Sequence, residues 1–434
     1  MKRLQRSVQK NTGRKCLRFT IAAGLGLLAA TFLSGCFWDE TDSALLDANG
    51  NEYLVLDDSE YPYAGLPRVI IETKDYAQIR DVTTEHQAKL QIYGKDGPSG
   101  NVLNLTVRGR GNSSAKMPKY GLKLEFNDKQ SMFGMPKNRD WALIANYGDK
   151  TLIRNHMIFR LSEWLGANYT PKDQFVELYL NRKYMGVYQF TETVKVGKNR
   201  VDIPKNSHSF LFEKEDSKKL DTPYITTEQS RSFHIKSPKE LTEETANLLK
   251  KKLDYFEYYL STGASNNQDK IDRWIDLESY LLQYWLQEYS KNEDGNFSRS
   301  IFMTWQEDQP IRFGPIWDLD LGFGNQSYPE NREADGWYIR KGHWHRYVFR
   351  DYDVQRQSAR YWKEHREKFR ALIDSIPLYV SEIRAAIDNE YKRWPIIKNT
   401  ENWALKKPYG SYEEAVEDMK DWMLKRYQWI ENNI

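Results

Sequence analysis

The segment FGPIWDLDLGFGN, residues 313–325, is an apolar run that ends in two aspartates and is followed at once by glycines. On a strand, residues two apart lie on the same face, so Asp318 and Asp320 are expected to point the same way. Two close carboxylates repel each other unless a cation lies between them or one is protonated. Carboxylate oxygens bind Mg²⁺ or Mn²⁺, and these ions in turn bind phosphates. The segment therefore predicts a metal site. The simpler alternative is a strand end with one aspartate capping a turn and the other paired with an arginine.

The first 35 residues have the pattern of a bacterial signal peptide. A basic region without acidic residues precedes an apolar stretch, residues 19–33, that is too short for a comfortable membrane span. The sequence LSGC, residues 33–36, resembles the lipobox of bacterial lipoproteins, in which the cysteine is acylated and becomes the mature N-terminus. We therefore expect a lipid on Cys36; an ordinary signal peptide and a short anchor helix are the alternatives. The residue after Cys36 is Phe37 and not aspartate. In this respect the sequence resembles lipoproteins that are sorted to the outer rather than the inner membrane, if the host is Gram-negative.

Removal of this signal would change the charge of the chain. The full sequence carries a formal net charge of +3, and seven positive charges lie in its first 35 residues, so residues 36–434 carry −4. Nucleic-acid binding therefore has no electrostatic support. Cys16 would leave with the signal and Cys36 would carry the lipid, which leaves no thiol for a disulfide, a zinc site or a nucleophile. The predicted location is the cell envelope.

The rest of the chain divides into three parts by pattern. Residues 36–67 are acidic and polar and are interpreted as a flexible tether. Short alternating runs between turn signals predict strands over 68–235. Helical periodicity dominates over 236–434, with predicted helices over 242–260 and 272–290. The sequence thus predicts an α+β fold with a β-rich N-terminal lobe and a helical C-terminal lobe.

A glycine-rich basic segment lies between two of the predicted strands. RGRGNSS, residues 108–114, can offer N–H groups, positive charge and hydroxyls to phosphates, although a tight turn is the simpler interpretation. The candidate ligands in it are Arg110, Asn112 and Ser113. In the next predicted strand, residues 120–126, alternation places Lys123 on the face opposite the apolar residues. Lys123 could reach phosphates, Lys119 is a rival for that role, and a solvated lysine is the alternative.

These features follow the component order of a protein kinase. Asp294 lies in KNEDGNFS, residues 291–298, a polar break directly after a predicted helix. In a kinase catalytic loop an aspartate serves as the base, and a polar residue four or five positions later, here Ser298, helps to hold the second metal. Asp318, 24 residues beyond Asp294, would parallel the metal-binding aspartate of the Asp-Phe-Gly motif. The chain has neither His-Arg-Asp nor Val-Ala-Ile-Lys nor a regular Gly-x-Gly-x-x-Gly, so it is no ordinary kinase.

Several segments are together similar to the spore coat protein H (CotH) family of atypical kinases, in the family's order and over roughly residues 68–325. They are RGNSS (110–114), YGLKL (120–124), DKTLIRN (149–155), FVELYLN (175–181), GVY (186–188), KNED (291–294) with Ser298, and GPIWDLD (314–320). The resemblance implies a divergent two-lobed protein-kinase-like fold. It also implies ATP-dependent phosphorylation of protein Ser/Thr hydroxyls with Mg²⁺ or Mn²⁺. One departure is Arg182, where the family usually has glycine; we expect it to alter a turn and not catalysis.

The resemblance also implies roles for individual residues. Asp294 would be the catalytic-loop aspartate and Asp318 a metal ligand. Asp320 would support the metal, and Lys123 would contact a nucleotide phosphate. Glu213 lies on a strand that resembles the hinge between kinase lobes, where backbone groups would meet adenine.

Two alternatives remain open at this point. A metal-dependent glycosyltransferase also uses Asp-x-Asp to bind a nucleotide-sugar through Mn²⁺, but it would need a Rossmann-like βαβ start. A kinase fold could also serve as a non-catalytic envelope scaffold or adhesin, because ATP is scarce outside the cytoplasm. The expected partners are a protein phosphoacceptor of the envelope or cell surface and, through the lipid, the membrane.

Overall fold

The computed structural model describes residues 45–79, 81–215, 222–262, 270–400 and 407–434, which belong to one compact unit. The predicted signal peptide and Cys36 lie outside the described residues. The strands among them are β1 (Arg68–Thr73), β2 (His86–Gly94), β3 (Gly97–Pro98), β4 (Leu103–Arg110), β5 (Gly121–Gln130), β6 (Asn138–Ile144), β7 (Asp173–Leu180), β8 (Lys183–Glu192), β9 (Ser209–Lys214), β10 (Tyr224–Thr226), β11 (Ser232–Ser237), β12 (Ile301–Gln306) and β13 (Arg312–Phe313). The α-helices are α1 (Arg154–Trp164), α2 (Glu243–Thr262), α3 (Leu277–Ser290), α4 (His343–Val348), α5 (Tyr352–Asp374), α6 (Ile376–Arg393) and α7 (Tyr412–Asn433).

The first eight strands form a sheet that closes on itself. Their order is β1-β7-β8-β6-β5-β4-β2-β3, and β1 also pairs with β2, so a barrel forms with β3 at its rim. The neighbours are antiparallel except β1 and β7. Leu122, Leu124 and Phe126 on β5 are buried in the barrel core, as their alternation predicted. In the β7–β8 hairpin, Arg182 takes the left-handed φ of 63° that glycine adopts more readily.

The second sheet combines strands from both sides of residue 235. Its order is β10-β11-β9-β12-β13, with antiparallel neighbours throughout. The central strand β9 lies between β11 and β12. Because β12 begins soon after residues 291–298, this sheet brings the end of β9 to the predicted catalytic loop.

Helices dominate the chain after residue 240, and the predicted β-rich N-terminal and helical C-terminal regions are confirmed. Helix α2 matches its predicted range closely. Helix α3 begins only at Leu277, because the Asp276 side chain accepts a hydrogen bond from the Ser279 N–H at 2.9 Å and caps it there. Among the described residues, no helix has the length and apolar character needed to cross a membrane.

Helix α6 joins the helical region to the barrel. The buried Glu390 accepts hydrogen bonds from the Lys119 ammonium and from the Val187 N–H, both at 2.7 Å. Just beyond the helix, Trp394 donates to the Met185 carbonyl at 2.8 Å and belongs to the barrel core. The two halves of the body therefore share a buried polar contact and part of one apolar core.

Part of the segment interpreted as a tether packs on the barrel. The Leu54 side chain is buried, and its N–H donates to the Gln91 side chain at 2.9 Å. The rings of Tyr61 and Tyr184 stack with centroids 4.3 Å apart. The packed body thus extends N-terminal to residue 68.

Candidate active site

The loop after α3 carries Asp294. It opens at Lys291, whose φ of 47° ends the helix and whose ammonium donates to the carbonyls of residues 333 and 335 at 2.7 and 2.8 Å. The Asp294 carbonyl accepts hydrogen bonds from the Ser298 N–H at 3.2 Å and from its hydroxyl at 3.1 Å. The Ser298 hydroxyl also lies 3.5 Å from the Asp294 carboxylate. The loop thus holds these two side chains together.

The segment that carries Asp318 and Asp320 is not a strand, so the strand geometry expected for these two residues is wrong. Strand β13 ends at Phe313, and the Gly314 N–H makes one more hydrogen bond, to the Phe302 carbonyl on β12 at 2.8 Å. Pairing stops at Pro315, because proline has no N–H to donate to a neighbouring strand. Asp318 lies in a loop with a left-handed φ of 65°. The alternation argument for a shared face with Asp320 therefore does not apply, and another contact must set the spacing of the two carboxylates.

Helix α1 makes that contact. The Asn155 side-chain oxygen accepts a hydrogen bond from the Leu319 N–H at 2.8 Å. Arg154 donates to the carbonyls of residues 322 and 323 at 3.1 and 3.2 Å and pairs with the buried Asp149. Arg154 and Asn155 belong to the segment DKTLIRN, residues 149–155, which the family resemblance includes without implying a role for either residue. Both are buried, and buried polar side chains need hydrogen-bond partners, which the aspartate loop supplies here.

The two loops are hydrogen-bonded to each other. The Phe323 N–H donates to the Ser290 carbonyl at 2.8 Å, and the Glu293 N–H donates to the Leu321 carbonyl at 3.2 Å. The Asn292 side-chain N–H₂ lies 3.5 Å from the Asp318 carbonyl. The structure therefore brings Asp294, Asp318 and Asp320 into one region.

The three carboxylates affect one another's protonation. Burial, followed by the charge of Asp318, raises the pKa of Asp294 to about 7. Burial raises the pKa of Asp320 well above its usual range, and the charges of Asp318, Asp149 and Asp294 add to the effect. Asp318 is exposed and accepts a hydrogen bond from the Ser300 hydroxyl at 3.1 Å. Repulsion among the carboxylates is the second cause of both pKa shifts, after burial, and it is the part that a bound cation relieves.

Arg110 reaches the same site from the barrel. It is the last residue of β4, and its guanidinium carbon lies 5.0 Å from the ring centroid of Trp317, next to Asp318. Burial lowers the pKa of Arg110, and the charges of Asp318 and Glu213 oppose that effect. The barrel therefore faces the carboxylates with a positive charge. Asn112 and Ser113 are exposed on the loop that follows.

The two candidate lysines have different surroundings. Lys123 is partly exposed on β5, opposite Arg108, and its ammonium lies 3.3 Å from the Glu125 carboxylate. Lys119 is fully buried in its ion pair with Glu390, away from solvent. Lys119 thus has a structural partner, and nucleotide contact by Lys123 stays a prediction.

The strand expected to act as a hinge lies inside the second sheet. Glu213 on β9 is opposite His234 on one side and Phe302 on the other. Its side chain pairs with Lys236 at 2.8 Å. Because strands flank β9 on both sides, its backbone groups pair within the sheet, and an adenine contact through the Glu213 backbone stays a prediction. A ligand contact by the Glu213 side chain stays a prediction.

Glu215, directly after β9, is a site residue that the sequence pattern does not reveal. It is buried, with 1% of its surface exposed. Its carboxylate accepts a hydrogen bond from the Asn112 side chain at 3.4 Å and lies 3.9 Å from the Arg299 guanidinium. It therefore links the glycine-rich loop to the loop that carries Asp294. No local pattern marks it, because its partners are distant in sequence.

The donor set at the site fits a divalent cation that arrives with a nucleotide. Within the described ranges, no group of three or more His, Cys, Asp or Glu side chains is arranged to hold a metal. Mg²⁺ in nucleotide sites, however, usually takes one or two carboxylates together with phosphate and water oxygens. Asp318 and Asp320 supply such carboxylates. The buried side-chain oxygen of Asn292, near Asp318, has no hydrogen-bond partner in the described part of the chain.

Comparison with known proteins identifies the family. A family model described as CotH kinase protein matches residues 107–430, most of the 434-residue chain. The match includes the glycine-rich loop, α1 and both aspartate loops, and it confirms the resemblance seen in the sequence segments. A search of curated proteins found no match. The chain therefore belongs to the CotH kinase family.

Proposed function

We propose that this protein is an atypical kinase that transfers a phosphoryl group from ATP to Ser or Thr hydroxyls of envelope or surface proteins, with Mg²⁺ or Mn²⁺ as the metal. The observation that carries the proposal is the meeting of Asp294 with Asp318 and Asp320, opposite Arg110. Phosphoryl transfer depends mainly on positioning and electrostatic stabilisation, and these residues supply both. Family membership supports the same reaction class.

Each residue has a role in this proposal. Asp318 and Asp320 would hold the metal, and Ser298 would help to hold a second one. When bound, the metal neutralises phosphate charge and stabilises the transferring group. Arg110 would contact phosphate oxygens. Asp294, whose pKa is raised to about 7, would accept the proton of the attacking hydroxyl near neutral pH.

The fold is proposed to be a divergent two-lobed kinase. The barrel would act as the N-terminal lobe, and the helices with the second sheet would act as the C-terminal lobe. The contact of Arg110 on β4 with Trp317 supports a nucleotide site where the two regions meet. Asn112 and Ser113, which are exposed at that edge, and Lys123 on the next strand are the further candidates for phosphate contacts.

We also propose that Cys36 anchors the protein to the membrane through a lipid. The motif LSGC at residues 33–36 and the basic region before it support this anchor. Cys36→Ala is expected to release the protein from membranes or to leave the signal uncleaved. Cys16→Ala, upstream of the cleavage point, is the matched control and should leave membrane association unchanged. Membrane association of Cys36→Ala after proven cleavage would contradict the anchor.

The kinase function is tested with the detergent-solubilised full chain. Isothermal titration calorimetry should detect ATP binding that requires Mg²⁺ or Mn²⁺, and radiolabelled ATP should label protein hydroxyls in an envelope extract. Metal-independent or absent ATP binding would favour the non-catalytic scaffold or adhesin instead. Mn²⁺-dependent binding of a nucleotide-sugar, with no binding of ATP, would favour a glycosyltransferase.

A further inference from the structure

A basic segment lies next to the candidate active site. Residues 338–350, YIRKGHWHRYVFR, contain four Lys or Arg residues and no acidic residue. Arg340 packs inward, with its guanidinium carbon 3.5 Å from the ring centroid of Trp337. The other three cations are exposed. We call Lys341, Arg346 and Arg350 the basic patch.

Two side chains of the basic patch are held near each other, and none of its three cations has an acidic partner in the described part of the chain. The guanidinium carbons of Arg346 and Arg350 lie 4.7 and 4.5 Å from the ring centroid of the same residue, Tyr347. Within the described ranges, no carboxylate forms an ion pair with any residue of the basic patch. The acid next in sequence, Asp351, accepts a hydrogen bond from the Asp353 N–H at 2.7 Å and caps α5. The patch therefore keeps a concentrated positive charge that suits carboxylates.

The basic patch is attached to the loop that carries Asp294. Gly342 packs so closely on Asn296 that a Cβ at residue 342 would lie 1.4 Å from the Asn296 side-chain oxygen. The rings of Phe297 and Trp344 have centroids 4.3 Å apart. The patch begins one residue before Gly342 and ends eight residues after it, which on a helix is a distance of about 12 Å. A bound segment at the patch would thus lie close to the catalytic loop.

We propose that the basic patch binds an acidic segment of the protein that is phosphorylated. This inference rests on the proposed kinase function and adds the class of acceptor. The carboxylates of Asp294, Asp318 and Asp320 would repel acidic residues directly beside the accepting hydroxyl. The acidic residues must therefore lie several positions away from it. An extended peptide advances about 3.3 Å per residue, so about four residues span the distance from the catalytic loop to the patch.

Binding of a peptide that cannot be phosphorylated tests this proposal apart from catalysis. Two fluorescein-labelled peptides would carry alanine in place of the accepting serine and, about four residues away, a run of either glutamates or lysines. Fluorescence anisotropy with the full chain in detergent, without ATP, should show binding of the glutamate peptide only, and binding should weaken as salt rises. The triple variant Lys341→Glu/Arg346→Glu/Arg350→Glu should bind it at least about tenfold more weakly.

A second triple variant separates the patch from net charge. Lys95→Glu/Lys129→Glu/Lys137→Glu makes the same change of charge at exposed positions of the barrel region and should bind the glutamate peptide as the unmodified chain does. Equal losses in both variants, or equal binding of both peptides, would overturn the proposal.

Anionic phospholipid vesicles are the remaining probe. Patch-dependent binding to vesicles without binding to the glutamate peptide would assign the patch to the membrane instead. Phosphoryl transfer to other acceptors would persist if only the docking proposal fails.

Discussion

The side-chain oxygen of Asn155 accepts a hydrogen bond from the backbone N–H of Leu319 at 2.8 Å, between the two aspartates of the Asp318-Leu319-Asp320 segment. Both residues are buried. The side-chain N–H₂ of Asn155 donates to the Asn146 side-chain oxygen at 3.1 Å, and this second hydrogen bond fixes the orientation of the Asn155 amide. The first turn of α1 thereby determines how the two candidate metal ligands are presented.

Asn155→Leu is expected to weaken nucleotide binding as well as stability. The substitution leaves the Leu319 N–H and the Asn146 side-chain oxygen without their partner, which costs about 1–3 kcal/mol in the free energy of unfolding. Chemical denaturation and Mg²⁺-dependent ATP binding would both be measured. Ser162→Ala is the control, because Ser162 on the same helix is buried and hydrogen-bonds Thr170 at 2.8 Å away from the loop. An equal effect of both variants on ATP binding would contradict a positioning role for Asn155.

Glu215→Gln is expected to raise the KM for ATP more than it lowers kcat. Glu215 links Asn112 of the glycine-rich loop to Arg299. Loss of its charge should therefore loosen the glycine-rich loop over the nucleotide and should disturb Asp294, the proton acceptor, less. Steady-state kinetics at several ATP concentrations measure the two constants. Glu192→Gln is the control, because this buried carboxylate pairs with Arg200 at 3.0 Å within the barrel region. A fall in kcat at unchanged KM would rule out the linking role.

Asp294 should make the metal-free protein less stable as pH rises. Its pKa is about 7 in the folded state against 3.8 for the ordinary side chain. Between these values the folded state binds more protons than the unfolded state, so the free energy of unfolding falls from about pH 4 to about pH 7. Asp294→Asn should therefore raise the Tm above pH 7 and change it little near pH 4. Thermal denaturation across this range without metal is the measurement.

The control for that experiment is Asp128→Asn, at an exposed position on β5. It should leave the pH dependence of Tm unchanged. A constant difference in Tm between Asp294→Asn and the unmodified chain at all pH values would show that the Asp294 carboxylate is not raised in pKa by its surroundings.

The main organisation of the fold could be predicted because hydrophobic periodicity reports burial locally. Barrel closure could not, since it depends on Arg68 pairing with both Tyr93 and Glu177, and no local pattern encodes such distant partners. The strand geometry expected at Asp318 was wrong because Pro315, within the apolar run, has no N–H and ends strand pairing before the aspartates. Local signals were thus sufficient to predict the β-rich and the helical region, and insufficient to predict that the first sheet closes into a barrel.

The candidate site shows the same division. The kinase-like order of the segments and the family resemblance predicted one site for Asp294 and Asp318, and hydrogen bonds hold their two loops together. The choice between Lys119 and Lys123 could not be made, because the partner of Lys119 is Glu390, 271 residues away. Glu215 was missed for the same reason, since Asn112 is 103 residues from it. Long-range partners decide which polar residue is structural and which faces the site.

The most direct test of the central claim is Mg²⁺-dependent ATP binding and phosphoryl transfer by Asp318→Asn and Asp294→Asn, with Asp335→Asn, an exposed acid on a nearby loop, as the control. We predict that Asp318→Asn loses metal-dependent nucleotide binding. Asp294→Asn should keep binding and lose transfer by ~10²-fold or more, as removal of a positioned base does. The control should retain both. Metal-dependent ATP binding and transfer at unchanged levels in both site variants would contradict a shared metal–nucleotide site at Asp294 and Asp318.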